Sequence, residues 1–206
     1  MMKISGLKIG ILFPWFNYKN RCLQMFFFKP LPISLALLLL SLSGLAQAEG
    51  SCLLLVFNQY CLAGDIVELG RRQPDFIHQQ REGDRFALIY SASRDLDYVM
   101  ANRGRIYKVL RKFEPSTSSR YREWRNRLTQ LYGMPQEESR FPLQATGLAA
   151  KISAIRRGEG RALLRWTPAA SPWHVELGWT SEMGLHLAYI VTREQMELNG
   201  GAGSVQ

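Results

Sequence analysis

His174, Glu176 and His186 are the residues whose types and spacing point most directly to chemistry. Two imidazoles and a carboxylate form a donor set for a divalent metal. In "WHVELGW" the spacing of His174 and Glu176 puts both on one strand face. His186, in "LHLAYIV", joins that face if Trp179 lies opposite Leu185 and Leu177 opposite Leu187. Only that register gathers the apolar residues of both segments on the other face. The same pattern also describes a solvated polar sheet face. The two histidines would lie far apart along the strands, so no metal or other cofactor is expected.

The remaining chemistry is sparse. The chain has no G-x-S-x-G elbow, H-E-x-x-H, phosphate-binding loop or dinucleotide fingerprint, and no catalytic residue is assigned. Cys52 and Cys61 are an even pair near one end of the chain, which predicts a disulfide in an exported protein. Two buried free thiols, or a metal pair, are the alternatives. The strongest charge feature runs from Arg103 to Arg127, with nine basic residues against Glu114 and Glu123. Arg103, Arg105, Arg111, Arg120, Arg122 and Arg125 are the candidates for binding an anion there. The partner would be a lipid phosphate, an anionic phospholipid, an acidic protein face or nucleic acid. A solvated face with acids paired from elsewhere is the simpler account.

Compartment decides among these partners. Ile33 to Leu45 is thirteen uncharged residues, short of the about 20 that span a bilayer. Lys29 precedes it and Ala46-Gln47-Ala48 follows, the pattern of a signal peptide cut between Ala48 and Glu49. The acidic Glu49 in the approach to Cys52 argues against lipidation of that cysteine. Residues 1–24 are either a long n-region or upstream of a true start at Met25. The expected location is the periplasm or outside the cell, with no transmembrane helix in the mature protein. Of 26 basic and 17 acidic residues, the segment to Ala48 holds five and none, which leaves the mature chain at +4. Nucleic acid is therefore an unlikely partner despite the overall pI of about 9.7.

The elements that must position these residues read as a helix followed by short strands, twice. Ser118 to Tyr132 carries Tyr121, Trp124, Leu128, Leu131 and Tyr132 on one helical face and stops at Gly133 and Pro135. A shorter helix spans Asp65 to Arg71. "QREGDRFALIY" (80–90) aligns without gaps to "RRGEGRALLRW" (156–166), each read as a tight turn entering a strand. "DFIHQ" and "KISAI" read as partner strands before the turns, although Leu148, Ile152 and Ile155 also suit a helix. "DYVM" and "HVEL", then "GRIYKVL" and "GLHLAYI", complete each set. Tyr98, Met100, Tyr107 and Val109 are the expected inward residues of the first set. The fold class is α+β, with two tandem helix-plus-antiparallel-sheet units over 49–114 and 115–198 and a disordered tail at 199–206. The units read as an internal duplication; the alternative is one α+β domain with coincidental similarity.

"ELGRRQP" and "QLYGMP", each followed by a strand block, resemble the β-lactamase-inhibitor-protein-like architecture over roughly residues 62–198. The chain is also similar to the small outer-membrane-assembly proteins, with their helix layer on a short sheet. The resemblance implies a binding protein without catalysis or cofactor. The expectation is therefore a non-catalytic module for a protein or an anionic envelope component. An envelope-polymer hydrolase with its site between the two units, or an anionic lipid carrier, is the alternative.

Overall fold

Asp65 and Thr117 start the two expected helices by accepting hydrogen bonds from the free amides of the first turn. Asp65 accepts from Val67 and Glu68 at the head of α1 (Ile66–Arg72), and Thr117 accepts from Arg120 at the head of α2 (Ser118–Tyr132). Gly133 ends α2 at a φ of 83°, where a side chain would be strained. The computed structural model describes residues 52–201. The predicted signal peptide, the start at Met25 and the cut between Ala48 and Glu49 lie outside the described residues.

A hairpin of β1 (Leu54–Val56) and β2 (Tyr60–Leu62) opens the described chain. Cys52 and Cys61 are bonded across its base. In the chain-entropy picture so short a loop stabilises by roughly 2–3 kcal/mol. After α1 come β3 (His78–Glu82), β4 (Arg85–Ala92), β5 (Asp95–Asn102) and β6 (Arg105–Lys112). After α2 come β7 (Gln136–Glu137), α3 (Leu148–Arg156), β8 (Ala162–Trp166), β9 (Trp173–Thr180) and β10 (Gly184–Val191). The last helix, α4 (Arg193–Gly201), includes the first three residues of the predicted tail.

Strands β3 to β10 form one antiparallel sheet in the order β3-β4-β5-β6-β10-β9-β8-β7. The fold is thus α+β, and the two strand sets meet last strand to last strand. Leu88 and Tyr90 of β4 are buried like Leu164 and Trp166, their aligned positions on β8. The outer edges differ. "KISAI" lies in α3 and not in a strand, and its place beside β8 is taken by the short β7. Leu148 to Ile155 has a helical apolar spacing, so this assignment follows period 3.6 over period 2.

The helices and the hairpin all pack on one face of the sheet. Tyr121 lies against Trp179, Tyr132 against Trp173, Tyr60 against Tyr90 and Phe57 against Tyr189. Ile66, Leu69, Leu128 and Ile155 complete a core with Val99, Val109, Leu177 and Leu187. The register of β9 and β10 is the expected one, with Trp179 opposite Leu185 and Leu177 opposite Leu187.

In β5 the expected facing is inverted. Val99 and Ala101 point to the core, while Tyr98 and Met100 are half-buried on the opposite face. A bulge follows Met100, so that Met100 pairs with Lys108 but Ala101 with Ile106. Ile106 and Val109 then both face inward although three residues apart, and Tyr107 is the extra residue. The inward neighbour that hides this from the sequence is Asp97, a fully buried carboxylate. Arg111 grips it with two hydrogen bonds of 2.6 and 2.7 Å, and the buried Tyr60 hydroxyl lies near it. Burial, followed by the charge of Asp97, pushes the Tyr60 hydroxyl well above the ordinary phenol range. The Phe57 ring stacks beneath the Arg111 guanidinium, 3.9 Å away.

Candidate functional site

The face of the sheet turned away from the helices carries side chains outside the main core cluster. Alternation along each paired strand puts Ala87 and Ile89 of β4 and Leu96, Tyr98 and Met100 of β5 on it. Leu110 of β6 and Ala188 and Ile190 of β10 continue the strip across the junction of the two strand sets. None of these eight residues belongs to the main core cluster; Leu110 and Ala188 are nonetheless buried beneath their neighbours on this face, and the other six are half-buried. β4 and β5 are therefore apolar on both faces. The near-continuous runs "FALIY" and "LDYVMA" carry that signal, because a strand with one wet face alternates.

Charged groups border the strip. Lys108 lies on it next to Ile190, and Lys112 pairs with Glu114 at 2.8 Å. Beyond β10 stands a cross-strand network. Arg165 of β8 donates to Glu176 of β9 at 2.8 and 3.1 Å and to Glu138 at 2.6 Å. His174 lies 3.3 Å from the same Glu176 oxygen.

His186 covers the backbone of Gly178, where a β-carbon would come within 2.6 Å of its ring Cε1. Burial holds the His186 imidazole below its ordinary pKa, and the Gly184 carbonyl 3.0 Å from Nδ1 opposes this only in part. His186 is opposite Gly178 while His174 is opposite Ile190. That is a separation of roughly 13 Å along β9. The pairing brings His174 to Glu176 and leaves His186 apart from them. Among the described residues there is no group of three metal-ligating side chains.

The six candidate arginines are dispersed. Arg111 faces the core with Asp97. Arg120 pairs with Asp95 at 2.9 Å, and Arg103 with Asp84 at 3.3 Å. Arg105 is exposed at the start of β6, beside an isolated bridge to Asp65. Arg122 and Arg125 are exposed on the solvent side of α2. A separate open cleft of about 720 Å³ lies by the hairpin, lined by Phe57, Tyr60, Gln73, Asp75, Tyr90 and Arg111 among others. Of its polar groups, Arg111 is engaged with Asp97 and the Tyr90 hydroxyl with the Gln73 carbonyl. At the junction where a hydrolase groove was placed, β6 and β10 are hydrogen-bonded from Lys108 to Lys112 as continuous sheet.

The Glu176 network carries a pH signature. Burial would raise the carboxyl, but hydrogen bonds from His174 and Arg165 and their charges hold it down to about 2. A depressed acid stabilises the fold above its unfolded value and loses that contribution as pH falls toward the folded one. Unfolding stability is expected to drop between about pH 4.5 and 2 by about 2–3 kcal/mol more in the native protein than in Glu176→Gln. Urea titrations at stepped pH measure the difference, and equal slopes for the two proteins would refute it.

No protein-family model and no curated protein matches the chain. Solved structures give distant similarity. One is a cysteine-rich secretory protein, SAV1118, from Staphylococcus aureus subsp. aureus Mu50, with TM-score 0.36 and 10% identity over 66% of this chain and 46% of that one. Another is an extracellular protein containing an SCP domain from Bacillus anthracis str. Ames, with TM-score 0.36 and 9% identity over 69% and 47%. The chain thus spans under half the length of these structures. What the geometry defines is an α+β protein with one helix-covered and one open sheet face. Among its described residues no helix is long and apolar enough to cross a membrane.

Proposed function

We propose that this is an exported, non-catalytic binding module that holds a protein partner on the open face of its sheet. The observation that carries the reading is the apolar strip from Ile89 to Ile190, set on rigid paired strands and bordered by Lys108 and the Arg165–Glu176 network. A rigid apolar centre with a charged rim is the anatomy of a protein interface. Anchors presented from paired strands lose little freedom on binding. The Cys52–Cys61 bond fits an oxidising compartment.

The test is affinity capture from envelope extract with three baits: the native protein, Tyr98→Asp with Met100→Asp, and Arg122→Glu with Arg125→Glu. A partner retained by the first and third and lost by at least about tenfold with the second supports the face, the loss expected for a central anchor. A partner lost only with the arginine variant assigns binding to the basic helix and refutes the proposal.

A further inference from the structure

The stretch from Ser139 to Arg161 holds an apolar feature that folding does not require. Leu143 is 98% exposed, although the loop around it is firmly seated. Phe141 packs where a β-carbon on Gly160 would come within 2.7 Å of its ring. The Lys151 ammonium stands 5.2 Å over the same ring, which draws the loop onto the first turn of α3. Ala145 is buried, and its amide donates to the Pro142 carbonyl at 2.9 Å. Between these anchors Leu143 is held out into water. Leu148, at the start of α3 and one turn from Lys151, is 49% exposed. Ala149 and Ala150 beside it are exposed as well.

The charge around these residues is one-sided. Within this stretch Arg140, Lys151, Arg156, Arg157 and Arg161 stand against Glu159, which is paired with Arg157 at 2.7 Å, and Glu182 in the turn beside Gly158 is the acid that comes near from elsewhere. Protruding apolar tips flanked by an excess of cations fit a soft anionic surface better than a shaped protein pocket. We propose that this end of the molecule docks on an anionic lipid bilayer. Leu143 and Leu148 enter the interfacial zone, and Arg140, Lys151, Arg156 and Arg161 lie at the headgroups. The inference stands apart from the sheet-face reading, since it uses the opposite end of β8 and a different partner chemistry.

The experiment uses the full chain carrying L143W. The emission added over the native protein is followed on phosphatidylglycerol–phosphatidylcholine vesicles and on phosphatidylcholine alone. The expected result is a blue shift and quenching by brominated lipid on the anionic vesicles only. Both should be lost at high salt, and apparent affinity should fall by about tenfold or more when Arg156→Glu and Arg161→Glu are added. A solvent-like emission on anionic vesicles overturns the proposal. So does an equal shift on both lipids, or a shift that the arginine substitutions leave unchanged. Because residue 143 lies wholly in solvent, the reporter leaves the fold intact, and an unaltered circular dichroism spectrum checks this.

Discussion

Arg111→Met is expected to destabilise the fold by about 3–5 kcal/mol, the cost of leaving a buried charge without its partner. The Asp97 carboxylate has no exposed surface, whereas 22% of the Arg111 side chain reaches water. Losing the arginine therefore strands the charge that has no route to solvent. Asp97→Leu is expected to cost less, because the guanidinium left behind keeps its seat on Phe57 and its access to water. The double substitution Asp97→Leu with Arg111→Met should recover most of the loss, since a well-packed apolar pair of similar volume replaces a buried ion pair nearly without penalty. A double-mutant cycle by urea unfolding reads the coupling directly. If Arg111→Met falls within about 1 kcal/mol of the native protein, the ion pair is not a structural element.

The second large effect is expected at Trp166. This indole is almost wholly buried on β8, and its Nε1 donates to the Gly133 carbonyl at 3.0 Å, tying the end of α2 to the sheet. Trp166→Ala should cost about 3–5 kcal/mol, combining lost burial with a cavity. Trp166→Phe separates the two contributions. It keeps a buried aromatic ring but removes the hydrogen bond and part of the indole, and Gly133 lies in an exposed turn where water can replace the donor. Its cost should be about 1–3 kcal/mol, an ordinary hydrogen bond plus a smaller cavity than alanine leaves. Thermal or urea unfolding of the three proteins gives the ranking. Equal costs for Phe and Ala would mean that the hydrogen bond, and not the ring, holds the helix end.

Both predictions turn on groups whose surroundings the sequence does not reveal. Asp97 opens the expected strand "DYVM", and an acid in a strand is normally assigned to the wet side. It is buried because Arg111, fourteen positions later, reaches it across a strand pair. The same pairing takes Arg111 out of the basic surface that its neighbours in sequence imply. Asp95 and Asp84 do the same for Arg120 and Arg103. Charge density along a chain is thus a poor guide to charge on a surface, because acids from distant strands arrive only on folding.

Local signals were fully legible. Cap hydroxyls and carboxylates, the 3.6-residue spacing of α2, the Gly133 stop and the alternation of β9 and β10 are set by neighbours within a few residues. The sequence by itself determined these elements, the α+β class and the register of the last hairpin, and the structure then bonded Cys52 to Cys61 where the sequence leaves free thiols open. Tertiary structure alone decided the facing of β5, whose inward set includes the charged Asp97, and that of β6, where a bulge at Tyr107 breaks the period-2 rule. It also decided that α3, and not a strand, precedes β8, because short apolar runs satisfy both periods. The open apolar strip belongs to the same group. Its members come from β4, β5, β6 and β10, and only antiparallel pairing across the junction makes them neighbours.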